Sequence, residues 1–167
     1  MASTSRDYQA VVDHLKPIGA RDPRMRAVVD ALWIAFENHG YSWVGFYIDR
    51  PHEPDEKRLV LGSCRDKPAC SPIGLHGVCG QALRSKKPRI VRNVTELGEN
   101  YIACDPRDRS EIVMPLLDER GVCWGVLDID SSDVGAFDES DALGLHQVLE
   151  AAGLIRIAID PKAGAML

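Results

Sequence analysis

Long hydrophobic runs are missing from this sequence: no stretch approaches the roughly 18 apolar residues of a membrane-spanning helix, so a membrane protein is not expected. Basic residues are too few to favour a phosphate backbone. The 20 Lys and Arg stand against 25 Asp and Glu, a formal net charge of -5, which argues against nucleic acid as a partner. The opening MASTSRDYQ lacks the apolar stretch of a secretory signal, and the cytoplasm is the expected compartment. Paired C-x-x-C clips are missing too. Without them a zinc site is a poor reading of the five cysteines, although His76 and Cys79 are close and Cys64 and Cys70 lie just upstream. No internal repeat or low-complexity segment is present. What remains is an ordinary globular composition, 45% apolar and 27% charged, in 167 residues, enough for one core without staples. A single domain is expected, with N-terminal helices over 1–40, sheet and loops over 41–137, and a closing helix over 138–160.

Tyr8, Val11, Val12 and Leu15 follow helical spacing until Pro17 interrupts it. A second helix is predicted from RDPRMRAVVDALWIAFENHG, with Asp22 as N-cap, Pro23 in the first turn, Gly40 as the stop, and Met25, Val28, Val29, Leu32 and Phe36 as its buried stripe. SWVGFYID has strand character, placing Trp43, Gly45 and Tyr47 on one face and Val44, Phe46 and Ile48 on the other. RLVLGS reads as its neighbour. Residues 62–110 are rich in Gly, Pro, Cys and charge, with only the short helix QALRS and the short strand RIV as regular pieces, and a loop region of that length tends to be functional. EIVMPLL and VCWGVLDID form a hairpin through DERG. Asp138 caps a final helix with Asp141 three residues on, and Leu145, Val148, Leu149, Ala152 and Ile155 form its apolar face. The sum is an α+β layered domain with a mostly antiparallel sheet.

The hairpin carries a geometric expectation. A two-residue loop at Glu119 and Arg120 sets Asp118 opposite Gly121 and Glu111 opposite Asp128; a bulge would shift this by one residue. Asp128 and Asp130 share a strand face, so three carboxyls converge at one end of the hairpin. Repulsion and desolvation then keep at least one protonated near neutral pH, able to donate a proton while the others hold an ammonium group. The plainer alternative has both aspartates ending a strand and facing water.

Cysteines in a reducing compartment are buried hydrophobes, metal ligands or redox participants. Cys123, alternating with apolar neighbours in VCWGV, reads as a small core residue, and Cys64 as core or rim. Cys70, Cys79 and Cys104 occupy the loop-rich middle, where several thiols suit exchange through a sulfenic acid and a disulfide. His14, His39, His52 and His146 have no partner at ligand spacing and read as surface or helix-end residues. Trp43 and Tyr47 read as core or as a pocket wall, with Gly45 between them leaving room for a guest.

SWVGFY, KPAC followed by GVCG, YIACD, SEIVMPL and GVLDIDS, in that order, resemble the free methionine-(R)-sulfoxide reductases, which have the GAF fold. The likeness runs from about Trp43 to the closing helix. It implies a central, mostly antiparallel sheet with the N- and C-terminal helices packed on one side and ligand-covering loops on the other. It implies Cys104 as nucleophile and Cys70 and Cys79 as resolving partners, with Cys70 closing a disulfide. Glu111, Asp128 and Asp130 would hold the substrate and assist proton transfer, and Trp43 and Tyr47 would line its methyl pocket. No metal or organic cofactor is implied; a thioredoxin-like dithiol would restore the thiols, a homodimer is expected, and the setting would be oxidative stress. The chain departs from the family pattern in Tyr101, where a histidine is usual, in Cys64 and Asp66, and in a shorter interval between Cys70 and Cys79. Two other readings are a GAF module that binds or senses a small molecule without turnover and a dimeric interaction module.

Overall fold

The computed structural model describes residues 5–16, 18–157 and 165–166, so the predicted break at Pro17 lies outside the described residues. Helices α1 (Tyr8–His14) and α2 (Arg21–Phe36) precede strands β1 (Trp43–Asp49) and β2 (Leu59–Arg65). Then follow the short helix α3 (Val78–Ser85), β3 (Arg89–Val91), the hairpin β4 (Ser110–Leu117) and β5 (Cys123–Ser131), α4 (Glu139–Ala151) and a two-residue β6 (Ala165–Met166). The strand order is β2-β1-β5-β4-β3-β6, antiparallel except for the parallel β3–β6 pair. No helix among the described residues is long and apolar enough to cross a membrane.

Side-chain alternation gives the sheet two different faces. Val44, Phe46, Ile112, Met114, Leu116, Leu127 and Ile129 are fully buried on the face covered by α2 and α4, whose Val28, Val29, Leu32, Leu145, Val148 and Leu149 are buried in the same core. The opposite face carries Trp43, Gly45, Tyr47, Glu111, Val113, Asp128 and Asp130 beneath α3 and the loops. This is the one-sided helical packing expected from the resemblance.

The ends of the helices follow from local chemistry. Asp7 caps α1 by accepting from the Ala10 N–H at 3.0 Å, and Asp138 and Asp141 form a reciprocal capping box on α4. Asp22 is not the cap of α2: the helix starts two residues earlier than that cap would set it, at Arg21 behind Ala20, and Asp22 sits in the first turn, where its charge offsets the positive end of the helix dipole. α4 stops at Ala151 rather than running to 160, because Gly153 (φ +68°) turns the chain while the Leu154 N–H donates back to the Leu149 carbonyl at 3.0 Å. His146 is buried in α4 rather than exposed, with Nδ1 unpartnered.

The hairpin corrects the predicted register. Gly121, at φ +75°, makes the connection a three-residue loop in which the Gly121 N–H donates to the Asp118 carbonyl and the Asp118 N–H to Val122, each at 3.0 Å. A second shift lies between Leu116 and Leu117, and from there Glu111 faces Asp130, not Asp128, which faces Val113. Two single-residue shifts move the pairing by two. Because strand alternation has a period of two, Glu111 returns to the face of the two aspartates.

Candidate active site

Glu111, Asp128 and Asp130 meet on the loop-covered face at the junction of β1, β4 and β5, where Asp130 pairs with both Trp43 and Glu111. Glu111 and Asp128 are buried at 5% and 7% exposure, and Asp130 stands half-buried at the edge. Burial pushes the Glu111 carboxyl up to about 8, with the neighbouring Asp130 charge adding to it. The same desolvation raises Asp128 well above the carboxylate range, reinforced by Glu111, and raises Asp130, reinforced by Asp128. Near neutral pH the cluster therefore retains protons, as the convergence of three acids predicts.

These acids line a pocket of about 420 Å³, measured with its mouth, together with Trp43, Tyr47, Ile73, Cys79, Tyr101 and Cys104. The Trp43 and Tyr47 rings lie 6.1 Å apart at the centroids. Both also tie down a loop: the Trp43 Nε1–H donates to the Lys67 carbonyl at 2.7 Å and the Tyr47 hydroxyl to the Cys70 carbonyl at 2.8 Å. Gly45 does not leave room for a guest. A Cβ there would collide with the Trp43 indole and come within 2.8 Å of the Cys64 Cβ, so the glycine lets the indole lie flat across the strand.

Cys70 and Cys104 form a disulfide with Cα atoms 5.6 Å apart, joining two exposed loops at the pocket mouth. A salt bridge between Lys67 Nζ and Asp105, 2.6 Å, links the same loops. Cys79 is elsewhere, buried on α3 beside Asp128, where desolvation raises its thiol well above the usual range. Cys64 is a half-buried rim residue and Cys123 a buried one. His76 is exposed and forms no ligand group with the cysteines among the described residues.

Sequence reasoning missed Asp108. It is buried in the pocket wall, accepts from the Ser42 hydroxyl at 3.3 Å, and is pushed up to about 6 by desolvation and the charge of Asp105. Within DPRDRSE it looks like one more solvated loop charge, and no local signal separates it from Asp105. Ile73, Ile102 and Val78, which supply apolar wall, have no distinguishing spacing either.

Comparison with known proteins gives a consistent set of relatives. The GAF domain family matches residues 25–159. A free methionine-R-sulfoxide reductase of Saccharomyces cerevisiae is 38% identical over 113 residues, 66% of this chain and 61% of that protein. GAF domain-containing protein A of Dictyostelium discoideum is 39% identical over 68% of this chain and 69% of its own length. The X-ray structure of a free methionine-R-sulfoxide reductase from Neisseria meningitidis in complex with its substrate aligns with a TM-score of 0.69 at 34% identity, over 87% of this chain and 80% of that one. The chain thus spans about three fifths of the yeast relative's length.

Proposed function

We propose that this chain, which belongs to the GAF domain family, reduces free methionine-(R)-sulfoxide to methionine with its own thiols. The observation that carries the reading is the disulfide between Cys70 and Cys104 at the mouth of a pocket floored by protonated carboxyls. Relatives named for this activity support it.

In the reduced protein the Cys104 sulfur attacks the sulfoxide sulfur while a carboxyl of the cluster gives a proton to the oxygen. The sulfur–oxygen bond of the substrate breaks, methionine leaves, and the oxygen ends on Cys104 as a sulfenic acid. The Cys70 thiol then displaces that oxygen as water and closes the disulfide. Cys104 and Cys70 are exposed, so a dithiol of the thioredoxin type can reach the bond and restore both thiols. Cys79, buried among the acids, is a reserve resolving partner at most.

Selection for the free amino acid follows from charge. Glu111, Asp128 and Asp130 receive the substrate ammonium, and its arrival lets one carboxyl ionise without uncompensated charge; a methionine sulfoxide within a polypeptide brings no such group. Trp43 and Tyr47 take the methyl end. The reading includes a homodimer formed through the helical flank, where Ile34 of α2 and Leu143 of α4 stand exposed, to be checked by sedimentation.

The deciding assay supplies dithiothreitol as reductant and follows both epimers of free methionine sulfoxide. Consumption of the R epimer alone, abolished by Cys104→Ser in a folded protein, is the expected result. Saturable binding with no methionine formed, unaffected by that substitution, would instead make the chain a ligand-binding GAF module.

A further inference from the structure

On the pocket floor, Cys79 Sγ and one carboxyl oxygen each from Glu111 and Asp128 lie within 4.8 Å of one another. All three side chains are buried, and Glu111 Oε2 and Asp128 Oδ1 have no hydrogen-bond partner among the described residues. No basic side chain among the described residues forms a salt bridge with either acid. Buried acceptors left this way are costly unless a donor or a cation joins them.

We propose that these three side chains form a binding site for a thiophilic divalent cation of the zinc class, ligated by the Cys79 thiolate and by one carboxylate oxygen each of Glu111 and Asp128. Ligand type sets the selectivity. Hard cations such as magnesium and calcium prefer six or more oxygens, whereas one sulfur with two oxygens suits zinc or cadmium and leaves a fourth position open toward the pocket. The cation displaces to solvent the thiol proton and the protons that Glu111 and Asp128 hold near neutral pH, so no oxidant or reductant is involved.

The frame is rigid enough to hold such a set. Glu111 and Asp128 stand on the two central strands. Cys79 is the second residue of α3, and the start of that helix is pressed against its preceding loop: a Cβ at Gly80 would collide with the Leu75 backbone. The disulfide uses Cys70 and Cys104 and leaves Cys79 free, so the site is complete in the oxidised protein. The inference therefore stands apart from the reductase reading, although under that reading the cation would occupy the place of the substrate ammonium and act as a competitive inhibitor.

The test uses full-length protein with the Cys70–Cys104 bond closed, in which no turnover is possible. Titration with cadmium should give a thiolate-to-cadmium charge-transfer absorption that saturates at one equivalent and is reversed by zinc. Cys79→Ser should abolish the band, Glu111→Gln and Asp128→Asn should weaken binding at least tenfold, and Cys64→Ser should leave it unchanged. The wild-type titration needs no variant to fold. Absence of the band at saturating cadmium, its survival in Cys79→Ser, or its loss in Cys64→Ser would overturn the proposal.

Discussion

Replacing Glu111 with glutamine isolates the electrostatic cost of the acidic pocket. In the folded chain the carboxyl titrates at about 8 instead of 4.5, because it is buried beside Asp130. Between those values the unfolded chain has released a proton that the folded chain still holds, so stability falls as pH rises through the window: the contribution is whole below about 4.5 and gone above about 8. Each pH unit of that interval is worth about 1.4 kcal/mol, which sets an upper figure of about 5 kcal/mol. Glutamine keeps the shape and an oxygen that can accept from Asp128, but it cannot ionise. Urea unfolding of the oxidised protein at pH 4, 6.5 and 9 should therefore find the two proteins alike at pH 4 and Glu111→Gln more stable at pH 9, by up to about 2.5 M in midpoint for a slope near 2 kcal/mol/M. Wild-type stability that stays level from pH 5 to 8, or a variant curve parallel to the wild type, would refute the claim that this carboxyl is held protonated by burial.

Asp141→Asn removes the anion that pairs with Arg6 at 2.8 Å and accepts from the Tyr8 hydroxyl at 2.6 Å, leaving a buried guanidinium unpaired; a loss of about 3–5 kcal/mol is expected in urea unfolding. Gly45→Ala forces the Trp43 indole off the strand, and the expected outcome is a loss of about 1–3 kcal/mol in stability together with, under the proposed function, a raised KM for the sulfoxide. Tyr47→Phe deletes the bond to the Cys70 carbonyl, worth about 1 kcal/mol, and should make the Cys70–Cys104 disulfide roughly fivefold easier to reduce in a glutathione titration. Gly121→Val places a β-branched residue at φ +75° and should cost about 1–2 kcal/mol by loosening the hairpin turn, measured by thermal unfolding.

The strands and their faces were legible because alternation is a local property: Trp43, Gly45 and Tyr47 separate from Val44, Phe46 and Ile48 by position alone. Helix caps were legible where the side chain does the capping, as at Asp138, and not at α2, where Ala20 precedes the helix without a side-chain bond and Asp22 offered a false signal. The depth of the acids was hidden. Asp108 and Asp105 are three residues apart in the same loop, yet the first is buried and pushed up to about 6 while the second is held far below the carboxylate range by Arg107 and Lys67. Only the folding of the 101–109 loop over Ser42 and the pocket separates them, and that is a long-range outcome.

The hairpin shows why a wrong register still led to the right cluster. A slip of one residue would have sent Glu111 into the apolar layer beside Leu127 and Ile129, where an unpaired carboxyl has no acid neighbours to share a proton and costs several kcal/mol. A slip of two returns it to the pocket face with a different partner, Asp130 in place of Asp128. Selection on the buried face therefore fixes the parity of the pairing more tightly than the pairing itself. The bulge between Leu116 and Leu117 is consequently tied to the turn at Gly121: deleting a single residue from DERG should flip one strand of the hairpin unless the bulge is absorbed at the same time. The arrangement of the acids thus depends on an irregularity more than ten ångströms along the strand from them, as follows from about 3.4 Å per residue.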